Sequence, residues 1–452
     1  MKRPRDLALK VLNRLSNKSG FSKNILDSHF KRNPHFDARD RAFISHLVQG
    51  VLRWRNRLDW TIEQASDFPL KKITISNLNI LRLALYQILF MDRVPDSAAV
   101  NEAVNQAKIN NPRRAVSFVN GILRNICRQK KALPLPDRGK NLPHYLSVLH
   151  SYPLWLVKKW IGVWGVPFTE GLLAAGNRIS PLVIRTNTLK LSRSQLIHQL
   201  AEEGIHGVPT PYVPEGIIIE DFRGRVDSLA SFKSGLFQVQ DEAAQITSHF
   251  LAPPPEETIL DICAGHGGKS SHLAELIGDR GPILALDSSM RRLVSLSQNA
   301  RRLGIKSIVP LVADASTSLS SLLCRKFDRI LIDAPCSGLG VISRHPDIKW
   351  NREEKDIRQL ALLQKSILNQ AAPLLDIGGR MLYVTCTISR QENEEIVEDF
   401  LRKQPAFSLQ NMKDHGPSWG RELVDDQGFL RTIPHVHHMD GFFAALFTKK
   451  SD

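Results

Sequence analysis

Apolar residues recur three and four positions apart through most of the first 130 residues. DLALKVLNRL, ARDRAFISHLVQGVLRW, NLNILRLALYQILF and SAAVNEAVNQAK each gather them on one face of a 3.6-residue turn, which predicts an all-helical domain over residues 1–130. Asn33-Pro34, Phe68-Pro69 and Val94-Pro95 punctuate the helices. KKALPLPDRGKNLP, with three prolines and a glycine, interrupts the pattern and predicts a linker over 131–143. Next comes an aromatic-rich helix, YPLWLVKKWIGVWG, whose Trp155, Trp160 and Trp164 are read as core. From 181 to 240 short strands (PLVIRTNTL, EGIIIE, GLFQVQ) alternate with one helix (SRSQLIHQLAEEG), a small α+β unit of ferredoxin-like or RRM-like kind. Together 144–250 form the expected middle domain. Asp241 stands where the helix DEAAQITSHFL needs a cap.

From Pro255 the rhythm changes again. TILDIC, PILALD, SIVPLVAD, FDRILID and GRMLYVTC are strands separated by helical stretches, and DGFFAALF is a further strand. Repeated βα units with apolar strands predict a doubly wound, Rossmann-like parallel sheet over 251–452. In such a sheet chemistry gathers beyond the carboxyl ends of the strands. Two cysteines fall there. LIDAPCSG places Asp333 at a strand end with Cys336 in the proline-stiffened loop behind it, and TCT places Cys386 at the end of another strand. One such thiol would be read as a small buried side chain. Two at comparable places form a constellation.

The first strand runs into Cys263, Ala264, Gly265, His266, Gly267, Gly268 and Lys269, then a helix. Glycines there allow a tight turn and close approach of a ligand. The spacing is neither the P-loop pattern nor a complete G-x-G-x-x-G, so a phosphate grip is missing and NAD is the lesser candidate. Asp287 ends the second strand, where a carboxylate can hold ribose hydroxyls, although taken alone it would equally suit a helix cap. Asp314 follows the third strand, within reach of an adenine edge. A nucleoside without phosphates fits, and S-adenosylmethionine is such a molecule.

Composition narrows the choice. The chain has 452 residues, room for two or three domains with cores of their own. Cys127, Cys263, Cys324, Cys336 and Cys386 are few, odd in number and scattered, as expected of reduced thiols in a cytoplasmic protein, and no pair has zinc-ligand spacing, so no metal is expected. No apolar run approaches the ~20 residues of a membrane span, and the charged start MKRPRDLALKVLNRL lacks the apolar centre of a signal peptide. The net charge of +16 is segregated: residues 1–140 hold 27 Lys and Arg against 11 Asp and Glu, and the rest of the chain balances. A localised basic excess points to nucleic acid, with an anionic membrane the lesser option. Arg39, Arg41, Arg53, Arg55 and Arg57 are the expected phosphate-facing residues.

A methyl donor beside two thiols suits methylation of an unreactive aromatic carbon. Carbon 5 of a pyrimidine is a poor nucleophile until a thiolate adds to carbon 6 and converts the ring to an enamine. Loss of the carbon 5 proton and expulsion of the thiolate complete the reaction, with a base near carbon 5 and a carboxyl on ring N3, for which Asp333 is suited. One cysteine attacks and the other aids release; the chemistry alone leaves open which.

DICAGHGGKS, Asp287, Asp314, DAPCSGLG and TCT followed by Glu392-Asn393-Glu394 resemble the motif set of the Nop2/Sun family of RNA cytosine-5 methyltransferases. The helical part, with ARDRAF, GVLRWRNRLDW, ILRLALYQ, VPDSAAVNEAV and FVNGILRN, is similar to NusB and to the subgroup acting on bacterial 16S ribosomal RNA. The resemblance implies a class I methyltransferase fold behind a NusB-like domain. It implies Cys386 as nucleophile, Cys336 in elimination, Asp333 on the cytosine and Cys263–Lys269 with Asp287 and Asp314 at S-adenosylmethionine. It further implies that Glu392 and Asn393 fix the Cys386 loop, that Arg185–Thr188 (RTNT) is an RNA-facing segment, and that the partner is 16S rRNA, unassembled or in an early small subunit, with no obligate protein partner. One departure stands out. The family usually has CAAPGGK where this chain has CAGHGGK, and loss of the stiffening proline predicts weaker methyl-donor binding. The competing readings are the same chemistry on tRNA or another rRNA site, a non-catalytic RNA-binding or assembly factor, and a cysteine hydrolase, which would need a histidine near Cys386 from among His435, His437 and His438.

Overall fold

The computed structural model describes residues 3–17, 20–110, 112–222 and 224–450. They form two compact units: residues up to Arg178 together with Ile342–Asn351, and Ile179–Val341 together with residues from Arg352 onward.

The first unit is helical, with α1 (Pro4–Asn17), α2 (Ser22–Arg32), α3 (Ala38–Ala65), α4 (Ile75–Phe90), α5 (Asp96–Asn110), α6 (Arg113–Gln129), α7 (Leu142–Leu149) and α8 (Leu154–Ala175). α4 is buried on every side from Asn77 to Ile88, as befits a helix apolar nearly all round. Its one charged residue, Arg82, forms a two-bond fork with Asp59, Nε to Oδ1 at 2.6 Å and Nη2 to Oδ2 at 2.8 Å. Helix α8 runs past the expected end at Gly165, which takes a positive φ of 74° and kinks it without ending it. Helices 142–175, expected with the middle domain, thus pack within the helical unit.

Two of this unit's charges lie inside it. Lys349 is 1% exposed and donates all three ammonium hydrogens, to the carbonyls of Arg53 and Ser151 at 3.0 and 3.1 Å and to Asn177 Oδ1 at 2.7 Å. Arg53, expected to face phosphate, is 6% exposed and donates to the carbonyls of Gly176, Arg178 and Ser343. A guanidinium is the side chain best able to satisfy several converging carbonyls, so at this position it serves packing. Of the five arginines expected at a phosphate surface, Arg39 is exposed and Arg41, Arg55 and Arg57 are half-buried.

The second unit contains two sheets. β1 (Leu182–Thr186), β2 (Gly207–Pro209), β3 (Gly216–Ile219) and β4 (Phe237–Val239) make an antiparallel sheet ordered β2-β3-β1-β4, closed by the helix Arg193–Glu202. The larger sheet holds β5 (Ile259–Ile262), β6 (Ile283–Asp287), β7 (Ile308–Val312), β8 (Phe327–Asp333), β9 (Leu375–Thr385), β10 (Phe407–Gln410), β11 (Leu430–Arg431) and β12 (Phe443–Lys449). Its order is β10-β12-β9-β8-β5-β6-β7, with β11 paired to β12. β5 to β9 are parallel, as expected, whereas β12 and β10 extend the sheet antiparallel. Alternation divides the apolar side chains between two faces: Ile330, Ile332, Met381 and Tyr383 belong to one core cluster, Leu331, Leu382 and Val384 to the other. Both faces being covered, the strands read as continuous apolar runs.

Glu215, His249 and His272 meet where the helices Glu242–Leu251 and Gly268–Leu276 adjoin the small sheet. Glu215 Oε1 takes an N–H from each histidine Nε2, at 2.7 and 2.6 Å, while the buried His272 Nδ1 has no hydrogen-bond partner among the described residues. Among the described residues no helix is long and apolar enough to cross a membrane.

Candidate functional site

Register brings the chemistry to one edge. Ile262 is level with Leu286 and Ile332, and Asp333 with Val384, so β5, β6, β8 and β9 end side by side. Beyond these ends lies a cavity of about 290 Å³ lined by Cys263, Asp287, Asp314, Asp333, Pro335 and Leu363, among others. Its walls combine apolar side chains with a few carboxylates, the usual make-up of a small-molecule site.

The glycine loop crosses the cavity's edge. Cys263, Gly265 and Gly267 have φ of 66°, 59° and 80°. Gly265 therefore suits its left-handed position better than the alanine usual in the resembling family. Its N–H donates to Asp287 Oδ2 at 3.0 Å, so the substituted loop is tied to the carboxylate expected at a ribose. Asp287 is 2% exposed; its Oδ1 accepts from Ser289 N–H at 2.8 Å and its Oδ2 also faces Arg292 at 3.4 Å. His266 is exposed and directs its carbonyl to Asn299. Asp314 is exposed, and the hydroxyl and N–H of Ser316 lower its carboxyl pKa. Burial first, then Asp333, Asp287 and Asp261, push the Cys263 thiol up to about 12, so it stays protonated.

Cys336 Sγ and Cys386 Sγ lie 3.2 Å apart on adjoining loops, both half-buried and both free thiols. Contact with Cys386, then burial, then the charges of Cys386 and Glu392 hold Cys336 well above its ordinary pKa. Cys336 thus stays a thiol, and the two sulfurs are close enough for either to donate to the other. Among the described residues no histidine is hydrogen-bonded to Cys386, as a cysteine hydrolase would require.

A shared frame sets the spacing of the two loops. Glu392, fully buried, accepts from Ser337 N–H at 2.7 Å and Ser337 Oγ at 2.5 Å, and from Thr387 Oγ1 at 3.3 Å. It therefore grips the residue after each cysteine, more than the Cys386 loop expected of it. Asn393 accepts from Thr385 Oγ1 at 2.6 Å and donates to the Thr387 carbonyl at 3.0 Å, stapling both sides of Cys386. Gly340 N–H donates to the Cys386 carbonyl at 3.0 Å, and a Cβ on Gly340 would stand 1.9 Å from the Gly441 carbonyl oxygen. The glycine is required by that close backbone approach.

Three partners were not foreseen in sequence. Lys269 Nζ is 2.7 Å from Asp333 Oδ1, an ion pair across 64 residues at the mouth of the cavity. Gln364 donates to the Pro335 carbonyl at 2.9 Å and to Glu392 Oε1 at 3.2 Å. Its signal was present: it occupies a position on the buried stripe Ile357, Ala361, Leu368 of its helix. Arg352 Nε donates to the Ser337 carbonyl at 3.1 Å. The RTNT segment departs from expectation. Arg185, Thr186 and Asn187 are each 0% exposed and only Thr188 faces solvent, so the segment is not an RNA-facing surface.

Comparison with known proteins agrees with this layout. Residues 248–448 match the family described as 16S rRNA methyltransferase RsmB/F, 2–128 match the NusB family, and 152–225 match the ferredoxin-like domain of RsmF/B-like methyltransferases. The chain is 35% identical to the probable ribosomal RNA small subunit methyltransferase B of Bacillus subtilis, covering 99% of this chain and 98% of the relative. It is 34% identical to ribosomal RNA small subunit methyltransferase B of Salmonella newport over 91% of each chain. The crystal structure of PH0851 superposes with a TM-score of 0.80 at 28% identity, over 99% of both chains. NSun6 from Pyrococcus horikoshii, solved with SFG, gives 0.58 at 25% identity over 67% of this chain and 100% of its own. The chain belongs to the RsmB/F family of 16S rRNA methyltransferases.

Proposed function

We propose that this protein transfers a methyl group from S-adenosylmethionine to carbon 5 of a cytosine in 16S ribosomal RNA, through a covalent bond between Cys386 and carbon 6. The observation that carries the reading is the 3.2 Å separation of Cys336 and Cys386 beside a cavity with carboxylates at Asp287, Asp314 and Asp333. Positive-φ backbone at Gly265 and Gly267 lets a flat nucleoside approach, and acidic rather than phosphate-binding groups suit a donor without phosphates. Ala264, His266, Gly268 and Lys269 complete the loop. When bound, the donor supplies an electrophilic methyl on a sulfonium.

The protein's own groups divide the work. Cys386 attacks carbon 6 as the thiolate, with the Cys336 sulfur 3.2 Å from its own. Asp333 holds the ring by accepting from its exocyclic amino group and from N3–H as N3 takes up a proton from solvent, with Lys269 beside it to balance the carboxylate's own charge. Once the Cys386 sulfur is bonded to carbon, the largest single influence holding Cys336 protonated, its contact with Cys386, is removed, while burial remains. Cys336 then gives its proton to solvent, its thiolate takes the carbon 5 proton, and the C6–S bond breaks as the carbon 5–carbon 6 double bond re-forms, releasing Cys386 as thiolate. The basic excess of residues 1–140 grips phosphates and presents a cytosine from an unpaired or flipped-out position. In this scheme residues 1–130 are the RNA-binding domain, 131–143 the stretch that leads to helices 142–175 of the same unit, 179–250 the small α+β domain and 251–452 the catalytic domain. Unassembled or early small-subunit RNA in the cytoplasm is the substrate.

Bisulfite sequencing of small-subunit rRNA incubated with protein and donor tests this. One new resistant cytosine is expected; label in another base, or none, overturns the reading.

A further inference from the structure

We infer that Arg185 and Asn187 position the two helices that carry the methyl-donor site, and that neither contacts RNA. The inference rests on the donor-binding reading above. Its observation is an accounting of Arg185's five N–H groups. Nε donates to Glu275 Oε2 at 2.8 Å. Nη2 donates to Glu275 Oε1 at 2.8 Å and to Ser271 Oγ at 3.0 Å. Nη1 donates to the Gly268 carbonyl at 2.8 Å and to Gln240 Oε1. Five donors meet five acceptors, and none remains for a phosphate.

Four of these bonds end on the first two turns of the helix Gly268–Leu276, which opens directly from the donor loop. Gly268 is the residue before Lys269, whose ammonium pairs with Asp333. The fork thus sets how that helix is turned, and with it where the loop and Lys269 sit. A planar guanidinium can do this and a point charge cannot.

Asn187 does the same for the next helix. Its Nδ2 donates to the carbonyl of Leu303, the last residue of the helix Met290–Leu303, and to that of Gly235, each at 2.8 Å. That helix begins just beyond Asp287 and carries Arg292, which faces Asp287 Oδ2. Gly235 presses on the same helix end: a Cβ there would stand 1.8 Å from the Arg302 carbonyl oxygen. One end of β1 therefore braces the glycine loop's helix at its start and the Asp287 helix at its finish. The small sheet is a jig for the cofactor site.

The test is Arg185→Lys in the full-length protein, with S-adenosylhomocysteine binding read by calorimetry and rRNA binding by filter retention. Lysine keeps the charge opposite Glu275 but cannot fork. The homocysteine Kd is expected to rise at least tenfold, with RNA Kd within twofold. Weaker RNA binding with unchanged homocysteine binding, or no change in either, overturns the inference. Should the variant melt early and lose both, Gln240→Asn decides: it loosens the fork without touching a charge, and must raise the homocysteine Kd at least threefold with RNA Kd unchanged, or the inference fails. Absence of homocysteine binding by the wild type would instead remove the donor reading itself.

Discussion

The backbone N–H of Ser337 lies 2.7 Å from Glu392 Oε1, although 55 residues separate them in sequence. The same carboxylate takes the hydroxyls of Ser337 and Thr387, so one buried anion joins the residue after Cys336 to the residue after Cys386. Burial raises its pKa against four lowering hydrogen bonds. The gap between the sulfurs is held by this group and not by the thiols. Glu392→Ala would leave Ser337 N–H unpaired in the interior, reduce the Ser337 hydroxyl to its contact with Thr387 Oγ1 and deprive Gln364 of one acceptor, each unmet group costing ~1–3 kcal/mol. The expected result is a loss of about 3 kcal/mol in stability by denaturant unfolding. Methyl transfer should fall at least ~100-fold, because displacement of a reacting group by an ångström is enough for that.

Lys269→Met removes the cation that stands 2.7 Å from Asp333 and over the Phe442 ring, and keeps a side chain of similar length. The account expects kcat to drop ~10²–10³-fold, the scale of losing one preorganised charge partner. Donor affinity should stay within threefold. Equal losses in affinity and turnover would place Lys269 on the donor, not on the base.

Asp261 sits at the end of β5, fully buried, with Oδ2 accepting from Ser270 Oγ at 2.5 Å and no partner for Oδ1 among the described residues. Burial pushes its carboxyl up to about 7 from 3.8. Between these values the folded state binds a proton the unfolded chain does not, so stability is expected to fall as pH rises from about 4 to 7 and to level off above. At ~1.4 kcal/mol per unit the contribution is at most about 4 kcal/mol. Wild type minus Asp261→Asn unfolding free energy, measured across that range, should show this decline; a flat difference would mean the carboxyl is ionised throughout.

The segregated charge carries a prediction of its own. With the basic excess confined to residues 1–140, RNA affinity should fall steeply with salt, by ~0.7–0.9 decades per decade of salt for each phosphate neutralised. Several contacts are expected. Reversing exposed Arg39 should reduce the slope by about one contact, whereas buried Arg53 should alter stability instead.

The strands, the strand-end position of both cysteines and the glycine loop were legible because each is a local pattern: an apolar run, then a turn, then a reactive side chain. The bonds that organise them were not. Glu392 with Ser337 and Lys269 with Asp333 join residues 55 and 64 positions apart, and no periodicity reports such a meeting. Arg185 misled for a different reason. Its RNA-facing role rests on the family resemblance and not on its own surroundings, and its burial becomes intelligible only with Glu275 opposite it. Helix α8 outran its expected end because Gly165 bends the backbone and the apolar stripe resumes beyond it. DGFFAALF reads as a strand, but its antiparallel direction as β12 was not legible because an edge addition leaves the same apolar run as a parallel strand, and β10 beside it was not foreseen.

The central claim is that Cys386 forms the bond to RNA and Cys336 ends it. Cys336→Ala, mixed with rRNA and S-adenosylmethionine and run on a denaturing gel, should accumulate a slow-migrating protein–RNA adduct. Adding Cys386→Ser to it should abolish that adduct and all methyl transfer. An adduct that survives the loss of Cys386, or a Cys386→Ser enzyme that still methylates, would contradict the account.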